Sequence, residues 1–490
     1  MTIKRLFGVA LLLTLTMVAH AQTVYNVLDF GAKGDGVTDD AAALQQAIDK
    51  CSQEGGGRVL LPRMHTFLSG PLELKSDVEL HLESTATLLC NPDESLYTKS
   101  AFGDNRGEGM MWLWAKGARN LSITGRGAIH GNGIKFMGME LSDSYELKPL
   151  KTVANSQPST LTSHLTEDPR PHVLTLIDCS NLLIRDVTIF EGAYWTVHLV
   201  GCNVALIDGV NLLNNLKIRN GDGIDLDHSK NVRISNCHIT SGDDCICLKN
   251  RREYAEYGAC HDIVVTNCIL ESRSCAIKIG SENMDHIYNV LVDNCIIKNS
   301  NRGLGIQNRD EGTVTDVTFT NIIMDLQLWS DVWWGKAEPI YVTSYPRADG
   351  DHKDANWRFP KGETQGRCGA VSRITFQNIQ ATSENGCFIG GDTNDKVSDV
   401  TLSNVTVNLR RQTTYANGIY DKRPCKGESF VTGRVYGLYI EQATGVKTDG
   451  LTVNSYISNY EGKVKYPANT LNPIHRFKNF VNRTAADLSQ

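Results

Sequence analysis

The stretch Val-Arg-Ile-Ser-Asn-Cys at residues 232–237 returns as Ile-Val-Val-Thr-Asn-Cys at 263–268 and as Val-Leu-Val-Asp-Asn-Cys at 290–295. Each copy alternates apolar and polar residues and then places Asn or Asp before Cys or an apolar residue. Related copies lie at residues 183–187, 317–322, 374–379 and 400–405. The asparagines of four copies, Asn236, Asn267, Asn294 and Asn321, are 27 to 31 positions apart.

This period predicts an all-β fold, a right-handed parallel β-helix. One coil of short strands cannot bury its apolar side alone, whereas stacked coils form a continuous core. The repeated Asn tolerates a left-handed backbone and can hydrogen-bond to its equivalents in the coils above and below. A doubly wound α/β sheet is disfavoured because helical crossovers are missing after residue 60.

One helix is predicted, and it precedes the repeats. Thr38 is a candidate N-cap, and the glycines at 55–57 end the segment. The apolar residues at helical spacing are Leu44, Ala47, Ile48 and Cys51. We expect this short helix to cover the open end of the β-helix, where unpaired strand edges would invite association. The acidic run at 34–40 fails the ligand spacing of an EF-hand loop, so a turn and helix cap is the better interpretation.

Residues 1–21 have a basic start, an apolar run and a small-x-small end, which together predict a secretory signal peptide. We expect one β-helix domain over residues 22–490, with no membrane span, because no later apolar run is long enough. No cysteine follows the predicted cleavage point to carry a lipid. A secreted or periplasmic monomer is therefore predicted.

Composition excludes some functions. The net charge is −6 and the basic residues are dispersed along the chain. No basic run could therefore bind a row of phosphates, and nucleic acid is a poor partner.

Among the 14 cysteines, Cys237, Cys268 and Cys295 hold the same place in the repeat. This placement suits free thiols buried in a stacked row, but disulfides stay open as an alternative because spacing alone does not decide connectivity. Zinc-type CxxC pairs are absent, so a structural zinc site is not expected.

Two acidic segments follow one another at about one coil. Residues 220–225 read Asn-Gly-Asp-Gly-Ile-Asp, and residues 241–245 read Ser-Gly-Asp-Asp-Cys. Stacked coils would gather the carboxylates of Asp222, Asp225, Asp243 and Asp244 on one wall. Crowded carboxylates shift one another's pKa values, which serves either acid/base chemistry or a cation.

Two long segments interrupt the coils, at about 141–171 and 328–368. The second contains four of the seven tryptophans: Trp329, Trp333, Trp334 and Trp357. Long loops on a rigid scaffold commonly carry binding residues. These tryptophans either stack on sugar rings or pin the loop to the body.

With the opening Tyr-Asn-Val-Leu-Asp-Phe-Gly-Ala at 25–32, these motifs resemble glycoside hydrolase family 28, the polygalacturonase family, over nearly all of the mature chain. The resemblance implies inverting hydrolysis of an α-glycosidic bond in a plant cell-wall or other acidic polysaccharide or oligosaccharide. Asp243 would protonate the leaving oxygen, and Asp222 and Asp244 would activate water. No metal and no other cofactor is expected.

The chain departs from the family where the sugar is gripped. The family's Gly-His-Gly has no counterpart, since residues 272–282 contain no His, and its Arg-Ile-Lys is replaced by Gly305, Ile306 and Gln307. The pair Cys275-Ala276 is similar to rhamnogalacturonan hydrolases of the family, although these often have Glu in the acidic pair. A rhamnogalacturonan-type or other uronide-containing glycan is therefore favoured over plain homogalacturonan.

The remaining candidate substrate-binding residues are Lys249, Lys278, Arg302, Tyr345 and Asp225. Lysine and arginine would meet an acidic sugar, and Tyr345 lies about where the family has a substrate-contacting Tyr. Three alternatives stay open: a polygalacturonase or exo-galacturonidase with an altered subsite, a calcium-dependent pectate-type lyase, and a non-catalytic glycan-binding β-helix.

Overall fold

The computed structural model describes residues 23–102, 109–141, 146–150, 168–348, 363, 366–465 and 475–488. The predicted signal peptide and Trp357 lie outside the described residues. A twelve-stranded parallel sheet runs the length of the molecule. Its strands are β1 (Leu72–Glu73), β2 (Met110–Lys116), β3 (Pro171–Ile177), β4 (Val197–Val200), β5 (Ile224–Asp227), β6 (Ile246–Asn250), β7 (Cys275–Asn283), β8 (Arg302–Asn308), β9 (Ile340–Ser344), β10 (Cys387–Gly391), β11 (Val435–Glu441) and β12 (Tyr460–Lys465).

A second sheet of 23 strands completes the coils. Its strands are Val24–Asn26, Asp35–Asp39, Gly57–Leu61, Thr66–Ser69, Val78–Leu82, Thr87–Cys90, Ser122–Gly125, Ala128–His130, Ser180–Arg185, Thr188–Phe190, Asn203–Asp208, Asn211–Leu213, Lys230–Ser235, His238–Ser241, Cys260–Thr266, Ile269–Ser272, His286–Ser300, Thr313–Leu326, Val371–Ser383, Val397–Leu409, Lys447–Ser455, Arg476–Lys478 and Val481–Arg483. Two antiparallel hairpins lie outside the coils: Met137–Leu141 with Glu146–Pro149, and Ile419–Asp421 with Phe430–Thr432.

Successive copies of the repeat stack in register, as the period predicts. Val232 pairs with Ile263, Ile263 with Val290, and Val290 with Val317. These side chains point inward, and each of the four is at most 3% exposed. The alternation of the sequence thus places one apolar row inside the coil and a polar row in solvent, and the predicted right-handed parallel β-helix is confirmed.

The repeated asparagines form the predicted ladder. Asn236, Asn267 and Asn294 have φ values of 57°, 57° and 55°, in the left-handed region. The Asn267 Nδ2 donates to Asn236 Oδ1 at 3.3 Å, and the Asn294 Nδ2 donates to Asn267 Oδ1 at 2.7 Å. Asn combines tolerance of this backbone with an amide that can bond to both neighbours, which explains its recurrence at this corner.

Helix α1 (Ala41–Gln53) lies where a helix is expected, and its predicted apolar residues are all buried. The predicted N-cap is wrong, because Thr38 belongs to the strand Asp35–Asp39 and its hydroxyl donates to the Asp35 carboxylate at 2.8 Å. The carboxylate of Asp40 instead accepts from the Lys33 and Gly34 amides. The other helices are short: the 3₁₀ turns Val27–Phe30, Glu94–Leu96, Gly133–Phe136 and Arg252–Tyr257, and α2 (Ala485–Leu488).

All fourteen cysteines are free thiols, and all are buried. Cys237, Cys268 and Cys295 follow strand residues that pair in register, and each is 1–2% exposed, so the predicted row is confirmed. In this row Cys behaves as a small apolar residue that fills the inner corner of the coil.

Candidate active site

The two acidic segments are the turns that lead into β5 and β6. These strands pair in parallel, with Ile224 opposite Ile246. Glycine is required at both turns because the chains approach closely: a Cβ on Gly223 would lie 2.3 Å from the Cys245 carbonyl oxygen, and one on Gly242 would lie 2.3 Å from that of Ile218. The packing of two coils therefore explains why glycines stand next to Asp222 and Asp243 in these turns.

Three carboxylates meet at these turns. One oxygen from each of Asp222, Asp243 and Asp244 lies within 4.8 Å of the other two. Asp222 is 2% exposed and Asp244 is 1% exposed, whereas Asp243 is partly exposed. The predicted stacking of the two acidic segments is thus present in the structure, with Asp243 as the member that solvent reaches.

Asp222 and Asp244 hold the same place in successive coils. The backbone amides of Gly223 and Cys245, the residues that follow Asp222 and Asp244, donate to the carbonyls of Asp244 and Cys275 respectively. The strand register places equivalent residues at the start of successive strands in one column. That column consists of Trp195, Asp222, Asp244, Cys275, Arg302 and Glu338.

Two buried lysines neutralise the cluster. Lys278 Nζ lies 2.7 Å from Asp244 Oδ2, and Lys249 Nζ lies 3.2 Å from Asp225 Oδ1 and 3.9 Å from Asp222 Oδ2. The Lys249 ammonium also lies 3.9 Å from the centroid of the Trp195 ring. Burial lowers the pKa of Lys249, but the carboxylate of Asp225 and its acidic neighbours outweigh burial and raise that pKa well above its usual value.

Burial and crowding hold protons on this cluster. Burial, followed by the charge of Asp244, raises the pKa of Asp243 to about 6, against the opposing effect of Lys278. Burial is also the main cause for Asp225, whose pKa is raised to about 7 although Lys249 opposes the shift. The pKa of Asp222 is raised well above its usual value by burial and then by Asp225 and Asp243. At neutral pH and below, the cluster therefore has both a proton to give and a carboxylate to accept one.

The donor set suits a bound cation poorly. Calcium takes six to eight oxygen ligands, and its charge would have to sit beside the ammonium groups of Lys249 and Lys278. Those two groups already stand 2.7 Å from Asp244 and 3.2 Å from Asp225. The residues thus fit a proton-transfer site better than a calcium site.

Arg302 and Tyr345 lie away from the carboxylates. Arg302 is separated from Asp244 by Cys275 in the column, and its guanidinium bonds to both Glu338 oxygens at 3.1 Å. Tyr345 is 5% exposed and packs in an aromatic cluster with Tyr341 and Phe388. Direct contact of either residue with substrate stays a prediction, and the geometry of Arg302 supports a positioning role.

Several site residues were missed at the sequence level. Trp195 lies one coil before Asp222, and counting back by the strand register would have found it. Glu282 lies 4.0 Å from Lys249 and 3.7 Å from Arg347, and these cations, with others nearby, outweigh burial and lower its pKa. Its side chain leaves the long strand β7 next to the site, a placement that motif matching could not reveal.

In the coils that precede the carboxylates, aromatic side chains cover the outward face of the twelve-stranded sheet. Phe102 packs edge-on against Trp195, with ring centroids 5.0 Å apart, and the Arg251 guanidinium lies 4.0 Å from the Phe102 centroid. Tyr254 donates its hydroxyl to the Ala101 carbonyl. The carboxylates therefore have an aromatic wall on this side.

In the coils that follow the carboxylates, the segment from Ile419 to Arg423 covers the same face of the sheet. Tyr341 donates its hydroxyl to the Asp421 carbonyl at 2.6 Å, and Gln307 donates to the Arg423 carbonyl. The Tyr420 ring stacks on Phe388 with centroids 5.3 Å apart. This segment contacts Gln307, one of the positions at which the chain departs from the family's Arg-Ile-Lys.

In this part of the chain the sheet has no open outer groove. All residues within the strands β3, β4, β5, β6, β8, β9 and β10 are buried, whereas strands of the other sheet alternate between buried residues and more exposed ones. Arg170 adds to the closure: it donates to the carbonyls of Ala193 and Arg219 and pairs with Asp168 at 2.6 Å. The carboxylates thus lie in a recess between two covered stretches.

The fold is a parallel β-helix, and three carboxylates and two lysines meet in one recess on it. The family profile of Glycosyl hydrolases family 28 matches residues 51–328. The chain belongs to this family and is a glycoside hydrolase, so the expectations of a lyase and of a non-catalytic binder are not supported.

Individual relatives are similar at a distance. A probable polygalacturonase from Vitis vinifera is 25% identical over 409 residues, covering 78% of this chain and 74% of the relative. An endo-polygalacturonase from Pectobacterium carotovorum subsp. carotovorum is 25% identical over 375 residues, covering 74% of this chain and 83% of the relative.

A solved structure shares the fold. The hyperthermoactive exopolygalacturonase from Thermotoga maritima superposes with a TM-score of 0.65 at 22% identity, covering 88% of this chain and 91% of that one. No helix in the described part of the present chain is long and apolar enough to cross a membrane.

Proposed function

We propose that this glycoside hydrolase cleaves α-glycosidic bonds of galacturonate-containing pectic chains with inversion, and that it acts from a chain end. The observation that carries the proposal is the meeting of Asp222, Asp243 and Asp244 within 4.8 Å in a recess that also holds Lys249 and Lys278. Export through the predicted signal peptide would bring the enzyme to such polymers.

Asp243 is the proposed general acid. It is the most exposed of the three carboxyls and its pKa is raised to about 6, so it stays protonated in mildly acidic solution. The still stronger shift of Asp222 would by itself favour that residue as the acid. Accessibility decides for Asp243, since the acid must reach a glycosidic oxygen whereas a water-activating carboxylate can lie deeper.

Asp222 and Asp244 are the proposed water-activating pair. Two oxygens that share one water lie about 4.4 Å apart when each hydrogen bond is about 2.8 Å long, so a spacing within 4.8 Å suits a bridging water. An oxygen of the proposed acid Asp243 also lies within 4.8 Å of this pair, which is shorter than the ~6.5–9.5 Å between the acid and base carboxyl groups of most inverting enzymes. The third carboxylate and the family resemblance support inversion, and the anomer of the first product tests it.

Charge supports an acidic sugar. Lys249 and Lys278 place two ammonium groups beside the acids, and Lys249 is also held at 3.2 Å by Asp225. Relatives named polygalacturonase support galacturonate as that sugar, and they give no support to the rhamnogalacturonan preference expected from Cys275-Ala276. Gln307, which stands where the family has Lys, donates to the Arg423 carbonyl. Lys249 and Lys278 are therefore proposed to bind the carboxylate of the sugar instead.

Action from a chain end follows from the covered sheet. A polymer that runs through an endo-acting site needs an open groove on both sides of the scissile bond. Here Phe102 and Trp195 fill the face on one side, and Tyr420 and Asp421 fill it on the other. A recess closed in this way admits the end of a chain.

The test is product analysis on polygalacturonate, rhamnogalacturonan and galacturonate oligomers. We expect mono- or digalacturonate from the first minutes, little loss of viscosity, saturated reducing ends, and a product of inverted configuration by proton NMR. Early release of long oligomers would overturn chain-end action, and a retained anomer would overturn inversion. Unsaturated, ultraviolet-absorbing ends would overturn hydrolysis itself, and cleavage confined to rhamnogalacturonan would overturn the choice of sugar.

A further inference from the structure

A hairpin outside the coils brings one more carboxyl to the recess. Glu146 begins the strand Glu146–Pro149, which pairs with Met137–Leu141. Its neighbour Leu147 donates to the Lys217 carbonyl at 2.8 Å and forms a bridge with Ile218. Glu146 therefore sits on the turn that leads directly into Asp222.

The Glu146 carboxyl is buried without a hydrogen-bond partner. Its side chain is 0% exposed, and neither oxygen has a hydrogen-bond partner among the described residues. A buried polar group in this condition costs free energy unless something else satisfies it. Burial raises its pKa to about 7; Arg219, Arg273 and Arg170 oppose the shift, and the negative charge of Asp243 adds to it.

A buried glutamate with a purely structural task looks different in this protein. Glu384 is also 0% exposed, yet its carboxylate accepts from the amides of Leu328, Gln412 and Thr413 and from the Thr413 hydroxyl. Glu338 likewise bonds to Arg302 through both oxygens. The contrast indicates that the partner of Glu146 is a molecule that enters the recess.

We propose that Glu146 is a substrate-binding residue whose carboxyl hydrogen-bonds hydroxyl groups of the sugar bound next to Asp243. The inference rests on the proposed function. A sugar hydroxyl can donate to an ionised carboxylate and accept from a protonated one, so it satisfies Glu146 in either state. Neither carboxyl offers an opposite charge to the carboxylate of a uronate, whereas the ammonium groups of Lys249 and Lys278 do. Glu146 thus orients the sugar with a hydroxyl edge toward the hairpin and its own carboxylate toward the lysines.

The test compares Glu146→Gln and Glu146→Ala with Glu140→Gln in the full chain. Glu140 lies on the same hairpin but is half-exposed and pairs with Lys217 at 2.9 Å, so its variant controls for general effects on the hairpin. Steady-state kinetics on trigalacturonate would give KM and kcat separately, and thermal melting would report folding.

We expect KM to rise about 3- to 10-fold in Glu146→Gln and about 10- to 50-fold in Glu146→Ala, with kcat within about 3-fold and Glu140→Gln unchanged. Unaltered KM in both Glu146 variants, with the parent enzyme active, would overturn this inference alone. A parent enzyme inactive on every galacturonide would overturn the proposed function and this inference with it. If Glu146→Ala fails to fold, the nearly isosteric Glu146→Gln decides.

Discussion

At the scale of single residues, the site holds several charged side chains that are largely shielded from water. Asp222, Asp243 and Asp244 repel one another, and the ammonium groups of Lys249 and Lys278 make their burial tolerable. The result is a cluster in which protons are held at a pH where isolated carboxyls would have lost them. Acid/base catalysis needs this condition, which the fold imposes by stacking two turns.

The role of Asp243 gives the first prediction. Asp243→Asn removes the transferable proton and should lower kcat by about 10²- to 10⁴-fold, the usual contribution of a general acid. The fold should persist, because Asn has the same shape and removes a charge from a crowded site. Hydrolysis of trigalacturonate and thermal melting check both points.

A matched control is Asp262→Asn, which makes the same chemical change at an exposed position of the strand Cys260–Thr266 where φ is 57° and Asn is tolerated. Its activity should equal that of the parent enzyme. Full activity in Asp243→Asn would contradict the assignment of the acid.

The pH dependence gives the second prediction. Because the pKa of Asp243 is raised to about 6 and the protonated form is the active one, kcat/KM should fall as pH rises through about 6, by roughly tenfold per unit above it. The measurement is a pH series between 4 and 9 on trigalacturonate, with melting temperatures at each pH to exclude unfolding. A rate that stays constant to pH 8 would contradict the prediction.

At the scale of elements, one residue type at one corner sets the geometry of each coil. The left-handed backbone at Asn236, Asn267 and Asn294 turns the chain between strands, and their side-chain amides join coil to coil. Coils that turn at the same place keep their register, and register is what brings Asp222 beside Asp244. By fixing the register of the strands, the asparagine ladder thus helps to position the carboxylates on the other sheet.

The ladder gives the third prediction. Asn267→Ala should destabilise the protein by about 1–3 kcal/mol, because Ala is strained in the left-handed conformation and cannot make the side-chain hydrogen bonds to Asn236 and Asn294. Asn267→Gly relieves the strain and should cost roughly half as much, so the difference between the variants isolates the backbone effect. Urea denaturation followed by circular dichroism measures both, and an equal cost for the two variants would contradict the account.

At the scale of the whole molecule, the solenoid is stabilised without cross-links. All fourteen cysteines are buried free thiols, although the predicted route of export leads to an oxidising environment. Burial raises the pKa of thiols such as Cys245, Cys247 and Cys260, which disfavours the reactive thiolate. Their task is packing inside and between coils.

The thiols give the fourth prediction. Titration with a thiol reagent in denaturant, without reductant, should find fourteen thiols per chain, and the native protein should react slowly at all of them. Prior treatment with dithiothreitol is the control and should change neither the count nor the melting temperature. A count that reaches fourteen only after reduction would reveal disulfides and contradict the prediction.

Much of this protein could be predicted from local sequence. Alternation and a 27- to 31-residue spacing decide a β-helix, because only stacking can bury such short apolar strands. The glycines of the acidic turns mark close chain approach, and their spacing brings Asp222, Asp243 and Asp244 together. The helix N-cap was wrong because Asp35 draws the Thr38 hydroxyl into a strand, a competition that cap preferences do not contain.

Only the tertiary structure decided which charged residues meet and which parts of the sheet stay open. Arg302 is held by Glu338, 36 residues away, and Glu146 reaches the recess on a hairpin that belongs to no coil. The segment with Tyr420 and Asp421 returns from far along the chain to contact Phe388, Tyr341 and Gln307. These contacts join residues that do not occupy equivalent positions of the sequence repeat, so the repeat does not predict them. The sequence by itself therefore determined the scaffold and the meeting of the three carboxylates, because both follow from the repeat, and long-range packing determined the shape of the recess.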